Sequence, residues 1–194
     1  MNQTAYHTNF LNSISAIPEE IINELLKIAK LKTFETGIQI VKLNEAPSKV
    51  YMLISGVVRC YLITELGKEF NKNFFLPLSF FGSLTALIKK QSSSFVFEAL
   101  ITCQVYEVEY YNLMDLCKKY ESVNMLYSKV LESVYVTYEK RLVELISLDA
   151  KERYSELRKQ IKDVDHLIPQ YHIASYLGIT AVQLSRIRKK IDGN

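Results

Sequence analysis

Apolar positions fall into three rhythms along the chain, and each predicts a different kind of element. Near the start, Ile21, Ile22, Leu25, Leu26 and Ala29 recur three or four apart behind Pro18, with Glu19 and Glu20 at the positive helix end. That spacing predicts a helix over residues 18–30. From Thr33 to Glu109 the texture changes to short runs rich in Val, Ile, Phe and Tyr, punctuated by Gly37, Asn44, Pro47, Gly56, Gly67, Pro77 and Gly82. Such runs predict strands. Residues 50–54 and 57–63 flank Ser55-Gly56 and are expected to pair as a hairpin, with 68–75, 95–101 and 104–109 as further strands of a sandwich or roll.

Helical texture returns at Tyr111. Beyond Ser122 the residues Val123, Leu126, Val130, Val134, Tyr138, Leu142 and Leu145 form a stripe. It runs for roughly seven turns at ~3.6 residues per turn. Leu131, Tyr135 and Ile146 widen the stripe into a second apolar face. A helix of this kind is expected to form a homodimer seam packed as a parallel coiled coil, while also touching its own β-roll. Ser147-Leu148-Asp149 interrupts the pattern, and Asp149 with Glu152 has the spacing of an Asp-led capping box, so a domain boundary is expected there.

The last stretch reads as a helix-turn-helix. Ile173, Ala174 and Leu177 share one side of a first short helix, Gly178 supplies the turn, Thr180 is a suitable N-cap, and Leu184, Ile187 and Ile191 form the inner face of a second helix. Ser185, Arg186, Lys189 and Lys190 lie on the opposite face, where they can reach bases and phosphates. Two such helices bury little core but can set one of their number in a DNA major groove. Charge agrees: residues 150–194 hold nine Lys/Arg against five Asp/Glu, and residues 1–149 hold fifteen against sixteen. The basic surplus of a chain with net charge +3 therefore sits in its C-terminal quarter, as a phosphate-binding module requires.

Composition narrows the class further. A chain of 194 residues, 48% hydrophobic, can bury a core of one domain or two small ones. Its apolar runs are too short to span a bilayer, and the N-terminus shows no basic segment followed by an apolar stretch, so no membrane association is expected. Cys60, Cys103 and Cys117 are widely spaced and form neither a metal-ligand pair nor an even disulfide set, which suits reduced, packed thiols and a cytoplasmic location.

In this order (β-roll, long helix, short hinge, helix-turn-helix) the chain resembles the Crp/Fnr family of bacterial transcription regulators over almost its whole length. The resemblance implies an α+β fold: an N-terminal double-stranded β-helix of the cyclic-nucleotide-binding jelly-roll type, a long dimerisation helix and a C-terminal helix-turn-helix domain. The expected divisions are 1–120 for the effector-sensing β-roll with flanking helices, 121–148 for the dimerisation helix and hinge, and 149–194 for the DNA-binding domain. Many relatives continue into a final β-hairpin; the chain ends at Asn194, so no C-terminal wing is expected.

The family's cyclic-nucleotide signature is a Gly-Glu-Leu turn followed ten residues on by Arg-Ser or Arg-Thr. Here Gly82-Ser83-Leu84 keeps the turn without its carboxylate, and Ser93-Ser94 keeps a hydroxyl without the guanidinium. Each bond to a charged group is worth ~1.5–3 kcal/mol, so a cyclic phosphate loses its main anchor. These five residues remain the candidate effector pocket, for an unknown small molecule or none; cAMP is not expected. No cysteine cluster precedes Cys60, so an iron–sulfur cluster is not expected, and neither is haem.

The resemblance places the base-reading arginine at Arg186, where a guanidinium can donate a bidentate pair to guanine O6 and N7. Ala181 and Val182 stand at the other reading positions, apolar where the cAMP receptor protein has Arg and Glu, and suited to a thymine methyl. Gln183 and Ser185 are candidates for bases or phosphates, Gln170 and Thr180 for the DNA backbone at the two helix starts, and Lys189 for a phosphate. The expected partners are double-stranded DNA bearing an inverted repeat, a second copy of the chain, and RNA polymerase. No catalytic constellation stands out. His7, His166 and His172 all lie outside the strand region, which removes the ligands a cupin-type metal enzyme would need. The rival expectation is an effector-free scaffold or protein-interaction module with a β-roll and a basic helical tail, which DNA binding with a steep salt dependence would set apart from a regulator.

Overall fold

A computed structural model describes residues 3–193. The leader argument rests partly on Met1 and Asn2, and the expected chain end on Asn194; all three lie outside the described residues. Two helices, α1 (Gln3–Ile14) and α2 (Glu19–Ile28), precede eight strands: β1 (Lys30–Phe34), β2 (Gln39–Val41), β3 (Lys49–Ser55), β4 (Val58–Ile63), β5 (Glu69–Phe75), β6 (Phe80–Phe81), β7 (Val96–Ala99) and β8 (Cys103–Glu109), with a short α3 (Leu84–Lys89) between the sixth and seventh. They form two four-stranded antiparallel sheets, in the orders β1-β8-β3-β6 and β2-β7-β4-β5. Side chains that alternate inward from both sheets, among them Leu53, Val58, Cys60, Phe97, Cys103 and Val105, make one apolar core. Rings of Phe75, Phe81 and Phe97 stack across it. This is the mixed fold with a β-roll that the strand rhythm predicts.

One expectation about local pairing fails. The runs around Ser55-Gly56 are strands, but β3 pairs with β6 and β8 while β4 pairs with β5 and β7. Gly56 is therefore a corner that carries the chain from one sheet to the other. Alternation within each run cannot reveal this, because both runs have their inner faces in the same core. The nearest hairpin is β4–β5, closed by the bond from Thr64 N–H to the Lys68 carbonyl at 3.0 Å. The first predicted helix is present as Glu19–Ile28, ending two residues early where Lys30–Phe34 takes up pairing with β8.

The Gly56 corner is tight. Its φ is +92°, and a Cβ there would stand 2.6 Å from the Cys103 Cβ and 2.7 Å from the Thr102 carbonyl oxygen. Gly56→Ala is expected to cost ~1–3 kcal/mol through strain and overpacking, read as a lower urea midpoint. An unchanged midpoint would show that the corner has room to spare.

After the roll come α4 (Tyr110–Lys119) and the long α5 (Glu121–Ser147) of 27 residues. The start of the predicted stripe faces inward: Val123 and Leu126 are buried, and Leu126 and Val130 pack with Ile17 and Ile22 beside the first two helices. Farther along, Tyr138, Leu142 and Leu145 are exposed. A second face carrying Tyr135, Val136, Val143 and Ile146 is 55–78% exposed. Leu148 is extended and ends α5; Asp149 then caps α6 (Ala150–Gln160) with the expected reciprocal capping box to Glu152. Three further helices follow: α7 (Val164–Leu167), α8 (Gln170–Leu177) and α9 (Ala181–Asp192).

Candidate nucleic-acid interface and effector site

Helices α8 and α9 form the tight pair that the C-terminal rhythm predicts. His172, Ile173, Ala174, Tyr176 and Leu177 of α8 are buried. Gly178 ends the helix in the left-handed region at φ 72°, a conformation that costs glycine least. Thr180 caps α9: its hydroxyl accepts from Gln183 N–H at 3.2 Å, and the Gln183 carboxamide oxygen accepts from Thr180 N–H at 2.9 Å. Leu184 is wholly buried, with Ile187 and Ile191 packed beside it, so the helix cannot roll about its axis without breaking its core.

That anchoring leaves the other face open. Ala181, Val182, Gln183, Arg186, Lys189 and Lys190 are exposed and Ser185 is half-buried. Arg186 makes no ion pair among the described residues. Its neighbour Arg188 is committed elsewhere, bonding Asp165 and, through Nε at 3.1 Å, the Tyr154 hydroxyl. Gln170 donates to the Ala181 carbonyl at 3.0 Å, tying the starts of α8 and α9 together on the side where both helices present free amides. All eight residues singled out from the sequence thus lie on this helix pair or its cap, and Gln170, Thr180 and Gln183 already have bonds within the chain.

The side of α8 turned away from this face rests on the β-roll, which nothing in the spacing of the C-terminal residues foretold. Ser175 Oγ accepts from Asn71 N–H at 3.0 Å and donates to the Glu69 carbonyl at 3.2 Å, taking the place of a missing strand beside β5. The Tyr176 ring lies 5.2 Å from that of Phe74. Below them sits a buried polar cluster. Arg59, 4% exposed, forks onto Glu98 with three contacts of 3.1–3.2 Å and reaches Glu69 at 2.6 Å. Its guanidinium also lies over the Tyr61 ring at 3.7 Å and points Nη1 at His172 Nδ1, 3.1 Å away. Asn71 Nδ2 approaches the same ring nitrogen at 3.3 Å. Both neighbours are donors, so Nδ1 must accept and His172 is neutral with its proton on Nε2. Burial, and then the Arg59 charge, push the imidazole down to about 4. His172 is a packing histidine; His166 is exposed.

The C-terminal carbonyls of α8 are held from two more helices. Arg141 of α5 donates to the Tyr176 carbonyl with its guanidinium 3.9 Å over the Tyr176 ring, and Arg153 of α6 donates to the Leu177 carbonyl at 3.0 Å. Buried Glu144 accepts from Gln160 at 3.0 Å and pairs with Arg141. One short helix therefore touches the roll, the long helix and α6 together. The signal for this cluster was present: Arg59 interrupts the run Val57-Val58-Arg59-Cys60-Tyr61, and Glu98 interrupts Val96-Phe97-Glu98-Ala99. Opposite charges inside two apolar strands need each other once buried.

At the signature turn, the Ser83 and Ser93 hydroxyls bond each other at 2.8 Å, and Ser93 also bonds the Phe95 carbonyl at 2.7 Å. Ser83 and Ser93 are buried, and Ser94 faces solvent. The two positions where a nucleotide-binding relative would offer a carboxylate and a guanidinium thus hold a closed pair of neutral groups. They do not fit a cyclic phosphate. Cys60 and Cys103 are buried, and burial pushes their thiols up to about 12 and about 11, so neither is a ready nucleophile.

Comparison with known proteins agrees with this architecture. Residues 31–120 match the cyclic nucleotide-binding domain family. The anaerobic regulatory protein of Haemophilus influenzae is 25% identical over 171 residues, covering 82% of this chain and 66% of that protein, so the chain spans less than the relative's whole length. Among solved structures, FixK2 from Bradyrhizobium japonicum aligns with a TM-score of 0.72 at 21% identity, covering 86% of this chain and 85% of that one. A protein from Eubacterium rectale assigned to the Crp/Fnr family of transcriptional regulators aligns at 0.71 and 12% identity, over 91% and 85%. Residues 31–120 are thus similar to a cyclic nucleotide-binding domain, and the chain shares its overall fold with FixK2 and the E. rectale protein.

Proposed function

We propose that the chain is a homodimeric regulator of transcription that binds DNA through a helix-turn-helix formed by α8 and α9, in the division 1–120, 121–148 and 149–194. The observation that carries this reading is Arg186: exposed, without an ion-pair partner among the described residues, and projected from a helix whose inner face is locked by Leu184. A guanidinium so placed suits guanine in a major groove, with Ala181 and Val182 against thymine methyls and Gln170, Thr180, Gln183, Ser185 and Lys189 on bases or backbone. The exposed apolar face of α5 suits a two-fold seam with a second copy. Two recognition helices related by that axis call for an inverted repeat with half-sites one helical turn apart, ~34–36 Å. Such a protein works in the cytoplasm beside RNA polymerase. An effector, if it exists, is not cAMP, and it acts by favouring one orientation of the C-terminal module about Leu148 and Asp149. The H. influenzae relative, named as a regulatory protein, supports the same class and not an enzyme.

The test is a binding site selected from randomised duplexes, followed by titration at several salt concentrations. Arg186→Ala is expected to lose ~1–3 kcal/mol of discrimination at one base pair of each half-site. Lys189→Ala is expected to weaken all sequences alike and to reduce the salt slope by about 1. Unchanged affinity and specificity in Arg186→Ala would contradict the assignment. Absence of any salt-dependent DNA binding would favour the scaffold.

A further inference from the structure

The outer side of the β1-β8-β3-β6 sheet does not close against the helices that cover it. Between them lies a cavity of about 640 Å³. Its floor is made by Val50, Met52, Tyr106 and Val108, the strand residues that point away from the roll's own core. Its roof is α1, α2 and the inner face of α5, chiefly Val130 and Val134. At its far end stand Leu157 and Ile161 of α6 and Tyr176 of α8. The space therefore runs from the β-roll to α8, the helix packed against α9 and its exposed basic face.

Three observations say what it would hold. Its lining contains no Lys, Arg, Asp or Glu, so a buried charge would find no counter-ion there. Uncharged polar side chains are a minority of the lining, and several are already engaged: the Gln160 amide donates to Glu144, the Ser79 hydroxyl to the Leu76 carbonyl and the Thr137 hydroxyl to the Ser133 carbonyl. The exposed surface of the space is chiefly apolar, which favours an apolar occupant over ordered water. The size lies within the ~300–1,000 Å³ of ordinary small-molecule sites. Finally, α5 has two separate apolar faces. Val130, Val134 and Tyr138 line the cavity, while Val136, Val143 and Ile146 project to the other side. A second copy packed along the outer face leaves the inner one uncovered, because a two-helix seam buries one stripe of each helix.

We infer that this cavity is a binding site for an uncharged, largely apolar small molecule. That such a ligand acts as effector rests on the function proposed above; its binding does not. The site is separate from the Ser83–Ser93 pair, although Gly82 and Leu84 reach its edge.

The experiment titrates the full chain with N-phenyl-1-naphthylamine, an uncharged apolar probe whose emission rises in dry surroundings. Saturable uptake of one probe per chain is expected. Val134→Trp, which fills the space, is expected to weaken uptake at least tenfold while keeping its thermal transition. Should that variant not fold, Phe80→Trp provides a second measurement. The chain has no tryptophan of its own, so energy transfer from this single donor to the probe must saturate at the same concentration. Val143→Glu, on the outer face, is expected to leave uptake unchanged. Uptake that appears only in Val143→Glu would show that a second chain fills the space, and would overturn the proposal, as would failure to saturate or uptake unaffected by Val134→Trp with no transfer from Phe80→Trp. DNA affinity of Arg186→Ala bears on the proposed function alone and probe uptake on the cavity alone, so the two can fail separately.

Discussion

Replacing Arg59 with methionine is expected to destabilise the protein by ~3–5 kcal/mol, the cost of leaving the other member of a buried ion pair uncompensated. The loss is large because the guanidinium serves several groups together. Glu98, half-buried, is left among the described residues with the Tyr61 hydroxyl at 2.8 Å to answer its charge, and His172 loses one of its two donors. Because the cluster joins β4, β7 and β5 to α8, the damage should not stay within the roll. Urea unfolding should show the drop, and limited proteolysis should cut near Leu148 at denaturant concentrations where the parent chain is intact. The double variant Arg59→Met with Glu98→Gln should regain part of the loss, since it no longer buries an unpaired carboxylate. A single-variant loss under ~1 kcal/mol would place the pair among exposed bridges, which contribute little.

Acid is expected to loosen the same contact. His172 binds a proton only below about 4 in the folded chain, against 6.5 for the free side chain. Between those values the unfolded form holds more protons than the folded one, so stability rises with pH across the window. The contribution of neutral His172 is thus complete above pH 6.5 and is lost as pH falls toward 4, by at most ~3 kcal/mol. The groups that face the imidazole are Arg59, Glu69, Glu98 and Asn71, with the Tyr171 ring centroid 4.0 Å away. The two carboxylates temper the shift without reversing it. Urea midpoints measured from pH 4.5 to 7.5 should fall on the acid side for the parent chain, and His172→Asn should flatten the curve. Equal slopes in both proteins would remove His172 from the account.

How much of this was legible beforehand depended on whether the controlling chemistry is local. The α8–α9 pair could be read because a left-handed glycine, a threonine cap and a helical stripe announce themselves within a few residues, and the Asp149–Glu152 box likewise. Sheet membership was not local. The chain turns at Gly56 whether it returns along its own strand or crosses to the opposite sheet, and only the crowding against Cys103 distinguishes the two. The long stripe on α5 was read as a seam, yet its start packs against the first two helices, since period alone does not say which partner covers a face. Arg186 and Arg188 are two residues apart and alike on paper. Asp165, brought close by α7, decides that one is structural and the other exposed. The docking of α8 on β5 depended on residues about a hundred positions away, beyond the reach of any window of spacing.

Ser175 carries a consequence for any motion of the C-terminal module. With that hydroxyl removed, the rim of the second sheet would show an unsatisfied amide at Asn71 and a bare carbonyl at Glu69, the kind of border on which a foreign strand can grow. A swing that carried the module clear of the roll would expose the protein to sticking to its neighbours. A pivot that kept the Ser175 hydroxyl in place would turn Arg186 while the border stayed sealed.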